Sequence, residues 1–249
     1  MLVEKFNIMK LIRSTFIAFI LSIISSLAIS GVPSSTRSRN AISKVKPTLI
    51  EELEKKNFHW GAPIFIRIFK QSKELELWIK NEKKFDLFQT YKICTYSGGL
   101  GPKEKQGDFQ AAEGFYFVTP NHMNPASQFH LSFNIGYPNK YDLAYSRTGG
   151  LIMVHGNCVS IGCFAMTNKN IEEIYALADE ALRNEQKFFR VHIFPFRMTD
   201  KNMKGYHESK WFNFWTNLKE GYDFFEKFRE PPNVIVKNKR YLFEKDKNN

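Results

Sequence analysis

Cysteine is scarce: the chain has three among 249 residues, too few to build a fold from disulfide staples. Clustered positive charge is also missing. Lys+Arg outnumber Asp+Glu 36 to 25, for a net charge of +11, yet no run of five or more Lys/Arg occurs. The cations are interleaved with acids, as in Glu51-Glu52-Leu53-Glu54-Lys55-Lys56. That pattern speaks against a nucleic-acid partner and fits a protein working beside an anionic membrane surface or wall polymer. There is no internal repeat and no low-complexity segment, and only one long uncharged apolar stretch, so a polytopic membrane protein is excluded. What is present is ordinary for a globular chain: 43% hydrophobic and 24% charged residues, with 24 Phe. That suffices for a sizeable core in one large or two small domains.

The apolar stretch is N-terminal. Lys5, Lys10 and Arg13 precede the uncharged segment 14–30, centred on Phe16-Ile17-Ala18-Phe19-Ile20-Leu21 and closing on Ala28-Ile29-Ser30-Gly31. This charged, apolar, small-residue order predicts a secretory signal over residues 1–30. The run is short and Ser-rich for a spanning helix, so the membrane is expected as a partner only if the signal stays uncleaved. No Cys stands near the cleavage site for lipid attachment. Export in turn favours oxidised thiols, and an odd count of three leaves at least one unpaired.

Residues 31–61 read as a linker, rich in Ser, Arg, Lys and Pro up to 47, followed by a short charged helix over 49–56. The next segments read as strands. Ile64, Ile66 and Ile68 alternate within 63–69, and 75–79, 85–88, 91–96, 114–119, 151–154 and 189–194 are further β-prone runs. One helix stands out after Thr167, an expected N-cap. Ile171, Ile174, Tyr175, Ala178, Ala181 and Leu182 recur at helical spacing, with Glu172, Glu173, Asp179 and Glu180 expected to face away. Beyond residue 198 the chain is aromatic and basic. Trp211, Trp215, Leu218, Phe224, Phe225 and Phe228 form a helical stripe, read as a packing face. The expected fold class is α+β: one mainly β domain over 62–197 with flanking helices, and a helical C-terminal extension over 198–249.

Chemistry concentrates in His155-Gly156-Asn157-Cys158-Val159-Ser160-Ile161-Gly162-Cys163. The segment follows an apolar strand and precedes the amphipathic helix, a junction that presents side chains to a cleft. A thiol with a nearby imidazole is the minimum equipment for acyl transfer. A thiol of pKa about 8.5 must be lowered for attack near neutrality, and the helix start is one device that does this. Either Cys158 or Cys163 fits the nucleophile; Cys163 is nearer the helix and follows Gly162, which leaves room for a substrate carbonyl. Three other readings stay open at this point: a Cys158–Cys163 disulfide, a zinc site using His155, Cys158 and Cys163, or buried inert side chains. Cys94 is a further partner open to Cys158, and spacing does not decide.

His155-Gly156 after a strand, then Ser160-Ile161-Gly162-Cys163 before a helix, resembles the active-site motif of the L,D-transpeptidases, the YkuD-type domain that acts on bacterial peptidoglycan. The short gap between the two halves is similar to the YafK-like branch. Segments 97–103, 106–108, 113–116, 130–139, 194–198 and 221–226 add to the likeness, which spans about residues 60 to 243. The resemblance implies a YkuD-like β-sandwich or barrel. It implies Cys163 as nucleophile, His155 as general base and acid, and the Gly156 carbonyl as the group orienting the imidazole. Ser160 and Gly162 would shape the turn, with backbone N–H groups at Gly162 and Cys163 as oxyanion donors. Arg147, before Thr148-Gly149-Gly150, is a candidate to grip a substrate carboxylate, and His130 to line the cleft.

The implied function is an exported, periplasmic enzyme that forms a thioester with a diaminopimelate-containing peptide stem of peptidoglycan. An amine resolves it, with no metal and no cofactor. Two alternatives accompany it: a hydrolase that cleaves such peptides or detaches a wall-linked lipoprotein, and a non-catalytic wall-binding module. The chain departs from the family pattern at Ile161, where many members have His, at Phe164-Ala165, where many have Arg or Asn after the Cys, and at Ala112, often Pro. The first two departures fall on substrate contacts rather than on the thiol.

Overall fold

The computed structural model describes residues 31–245, and the expected signal segment lies outside them. Among the described residues no helix is long and apolar enough to cross a membrane.

The alternating run around Ile66 forms β1 (Ile64–Phe69). It pairs antiparallel with β2 (Glu74–Asn81) and parallel with β10 (Phe189–Phe194). With β3 (Lys84–Lys92) and β5 (Gly114–Val118) these make a five-stranded sheet of order β3-β2-β1-β10-β5. A second five-stranded sheet, of order β4-β9-β8-β7-β6, is built from short strands. They are β4 (Thr95–Tyr96), β6 (Met123–Asn124), β7 (Ser132–Asn134), β8 (Met153–His155) and β9 (Phe164–Ala165).

Register explains the core. Ile64, Ile66 and Ile68 sit opposite Ile79, Leu77 and Leu75, and the last two β1 isoleucines also flank Val191 and Ile193. All are buried in one cluster with Phe133, Val154 and Phe164 of the second sheet and the apolar face of α3 (Thr167–Arg183). Each such side chain contributes about 1.5–3 kcal/mol on burial, which makes this shared core the principal source of stability. The architecture is α+β, as the sequence predicts.

β1 is buried on both faces. Its second row, Phe65, Arg67 and Phe69, lies under the C-terminal extension: α4 (Asp200–Lys204), α5 (Phe212–Phe228) and a hairpin of β11 (Asn233–Lys237) and β12 (Arg240–Glu244). Phe225 packs on Phe65 and Trp78, and Tyr222 on Phe69. The buried Arg67 is held by Glu76 and by Glu226 of α5. Trp215, Leu218 and Phe225 of the predicted stripe are buried, so it is a packing face. The extension contains two helices and ends in a hairpin that the sequence reading does not contain.

Two expectations need correction. The segment read as a linker is α1 (Thr36–Lys55), capped by a Ser35–Ser38 capping box. Its length is hidden in sequence by Pro47, which lies inside it, and by its polar composition. The burial of Ser38, Ala41, Leu49 and Leu53, with Val45 half-buried against the core, follows a helical stripe. Because α1 packs on α3, the acids of α3 do not all face away. Glu172 and Asp179 are buried, bound to Lys44 and Arg183.

Candidate functional site

β8 and β9 run parallel, with Val154 opposite Phe164 and His155 opposite Ala165. Continued one residue back, this register sets Cys163 beside Met153. Side chains alternate between faces along a strand, so Cys163 shares a face with Met153 and His155. Two contacts fix the sulfur there: the Met153 N–H donates to Sγ at 3.3 Å, and the thiol reaches the Leu151 carbonyl at 3.6 Å. Cys163 is the free cysteine. Cys94 and Cys158 are joined in a disulfide, which removes Cys158 from both a Cys158–Cys163 bridge and a His155–Cys158–Cys163 zinc set.

His155 ends β8 and is buried, with the Phe129 ring against the imidazole at 4.8 Å between centroids. Its Nδ1 lies 2.6 Å from the Gly156 carbonyl oxygen. A carbonyl can only accept, so Nδ1 carries the proton and Nε2 keeps a lone pair. Burial lowers the imidazole pKa, partly offset by this bond. The same cause acts oppositely on the thiol: burial raises the Cys163 pKa, against smaller opposing effects from the Met153 N–H and the charge of Lys103. Desolvation thus disfavours both charged forms, and the resting pair is thiol and neutral imidazole. The sequence expectation of a helix-lowered thiol is corrected here. Burial is the largest influence on the thiol.

Two glycines shape the loop. A Cβ on Gly156 would stand 2.7 Å from the Phe129 carbonyl and 2.8 Å from Asn168 Oδ1, so only glycine fits between the imidazole and those neighbours. Gly162 has φ +136°, a conformation open to glycine. Ser160 Oγ donates to the Cys163 carbonyl at 2.7 Å and accepts the Gly162 N–H at 3.2 Å, which closes the turn in front of Cys163. That commitment of the Gly162 amide leaves the Cys163 amide as the other backbone donor named from sequence.

The remaining sequence candidates sit elsewhere. His130 gives its ring to Glu172, with Nε2 at 2.8 Å from Oε1, while its carbonyl accepts from Arg37. It braces Gly156 from behind, its Cβ 3.0 Å from where a Cβ there would stand. Arg147 is buried and bound to Asp142 at 2.8 Å, packed among Tyr141, Tyr145 and Phe214. Its guanidinium is committed to the buried Asp142 and to these rings.

Two features were not singled out from sequence. Lys103, buried and paired with Asp108 at 2.5 Å, sends positive charge toward Cys163; only its place in the matched segment 97–103 hinted at it. Leu151, Val159 and Ile161 are also exposed, apolar side chains carried by the segments that lead up to Cys163. Ile161 in place of the common His was the visible signal.

The L,D-transpeptidase catalytic domain model, YkuD, matches residues 63–193. The Escherichia coli (strain K12) protein "Putative L,D-transpeptidase YafK" is 45% identical over 231 residues, 92% of this chain and 90% of that one. Its Escherichia coli O157:H7 counterpart gives the same figures. Among solved structures, the helical cell shape determining protein Pgp2 from Campylobacter jejuni aligns with a TM-score of 0.44 at 19% identity, over 71% of this chain and 73% of that one. Bdellovibrio bacteriovorus Bd1075 aligns at 0.38 and 17%, over 71% and 78%. With a strand-borne His-Gly, a Ser-x-Gly-Cys turn and a family match across the sheets that carry them, the chain belongs to the L,D-transpeptidase (YkuD) family.

Proposed function

We propose that the protein is an exported, thiol-dependent acyl-transfer enzyme acting on peptide stems of peptidoglycan in the periplasm. The observation that carries this reading is the placement of the free Cys163 on one strand face with His155, whose Nδ1–H is tied to the Gly156 carbonyl. Cys163 Sγ attacks an amide carbonyl of the stem as His155 Nε2 takes the thiol proton. The carbonyl oxygen becomes an oxyanion held by the Cys163 backbone N–H. On collapse the C–N bond breaks, His155 returns the proton to the leaving amine, and a thioester remains. An incoming amine or water then gives its proton to Nε2, attacks the thioester and expels the thiolate, which is reprotonated. With an amine the outcome is a cross-link; with water it is cleavage, and a stem carrying a wall-linked lipoprotein would release it. The family membership and the 45% identical relative support the substrate class.

The test is incubation of purified protein with muropeptides, followed by mass spectrometry. New dimers or stem-linked amines establish transfer, and shortened or released stems establish hydrolysis. A Cys163→Ala variant with the same product profile as the native chain would overturn the enzymatic reading.

A further inference from the structure

Arg147, paired with the buried Asp142, also lines a cavity. A cavity of about 340 Å³ opens where three elements meet: the end of α2 (Lys140–Ala144), the start of α5 and the β11–β12 turn. Arg147 lines it, and its Nε is buried with no hydrogen-bond partner. Asp142 occupies Nη1 of the guanidinium, so that N–H is left unmatched within the protein, at a cost for a buried donor.

The walls are flat and the rim is cationic. The rings of Trp211 and Tyr145 line the cavity. Lys210 Nζ stands 4.5 Å from the Trp211 ring centre, and Lys239 Nζ 5.2 Å from that of Tyr145. Both lysines are exposed, and no carboxylate among the described residues forms an ion pair with either. Arg240, also on the rim, is paired with Glu220. Glu104 is an acid of the lining, and its carbonyl accepts the Thr148 N–H.

An anion at either ammonium therefore lies next to an aromatic face. A ring with an apolar side and an acidic substituent satisfies both at once, through stacking on the aromatic plane and charge-assisted hydrogen bonds. We propose that this cavity binds an anionic saccharide, held by Lys210, Lys239 and Arg147 with its ring against Trp211 and Tyr145. Glu104 of the lining follows Lys103, whose charge acts on Cys163. The site goes beyond the acyl-transfer reading and does not depend on it.

The test uses the full chain with Cys163→Ala, so that thiol chemistry plays no part. D-glucuronate, D-glucose, acetate and AMP are titrated by calorimetry. Saturable binding of D-glucuronate is expected, with D-glucose and acetate each about tenfold weaker, the loss that goes with one charge-assisted contact or one stacked ring. Lys210→Ala and Lys239→Ala, both at exposed positions, should each weaken D-glucuronate about three- to tenfold. The proposal is overturned if D-glucuronate does not saturate, if neither lysine variant changes its affinity, or if AMP binds more tightly than the sugar acid.

Discussion

Cys94 is bonded through its sulfur to Cys158, while its own amide donates to the Ala165 carbonyl at 2.8 Å. One residue thus fastens the segment that carries Cys163 on both sides of it. The bridge spans a sequence separation of 64, and on the chain-entropy view closing a loop of that length stabilises the fold by up to about 4 kcal/mol. Cys94→Ser, Cys158→Ser and the double variant should lose the same stability, because one bond is removed in each case. Urea denaturation of the three variants measures this. Additive losses would mean that the two sulfurs act separately.

Cys163→Ala should abolish turnover, and an alkylating agent should do the same to the native chain while a chelator leaves it untouched. His155→Ala should cost about 10²–10⁴-fold in kcat, the usual contribution of a positioned general base. Product formation from muropeptides, followed by mass spectrometry, reads all of these. Retained activity in Cys163→Ala would move the chemistry elsewhere.

The pH profile follows from the direction of the His155 shift. The imidazole must be unprotonated at Nε2 to take the thiol proton, and burial holds its pKa below the ordinary value of about 6.5. The competent form is therefore nearly complete at neutral pH, and kcat/KM should fall only as the pH drops below about 6.5. An acid limb with its midpoint above neutrality would contradict the buried imidazole.

His192 predicts a separate effect on stability. It is fully buried between Phe65 and Phe115, and neither ring nitrogen has a hydrogen-bond partner. Burial, with Arg190 and Arg67 adding to it, holds its pKa well below the ordinary value. The folded state refuses a proton that the unfolded chain accepts below about pH 6.5, so stability is present above that pH and is lost as pH falls. His192→Leu should flatten the decline in urea midpoint between about pH 6.5 and the acid range. An unchanged slope would assign the acid sensitivity to other groups.

Gly156→Ala should fold with a displaced loop, because the new methyl meets the Phe129 carbonyl and Asn168 at under 3 Å. We expect a loss of about 1–3 kcal/mol from this overpacking together with a fall in kcat, as the carbonyl that orients His155 moves with it. Full activity in this variant would show that the imidazole does not need that carbonyl.

Much of this was legible in sequence. The period-two run around Ile66 and the helical stripe from Ile171 to Leu182 each report a local rule, and both elements stand where the rule puts them. His155 and Cys163 were legible because a strand end and a turn before the next element carry a recognisable residue order. What escaped depends on partners distant in the chain. Arg147 looks available until Asp142 and three rings enclose it. The thiol looks activated by a helix until its burial, which raises its pKa, is seen. Glu172 and Asp179 look solvated until α1 covers them. Lys103 needed the folded loop to bring its charge toward the sulfur.

The first helix also changes where the working unit begins. Arg37 of α1 donates to the carbonyls of Ser127 and His130, at 2.6 and 3.0 Å, on either side of the Phe129 that rests on the imidazole. From Val32 onward the chain is one compact unit, although the family match starts at residue 63. A chain trimmed to the matched region would lose the clasp behind His155, so the natural border for dissecting this protein lies some thirty residues ahead of the one that family likeness marks.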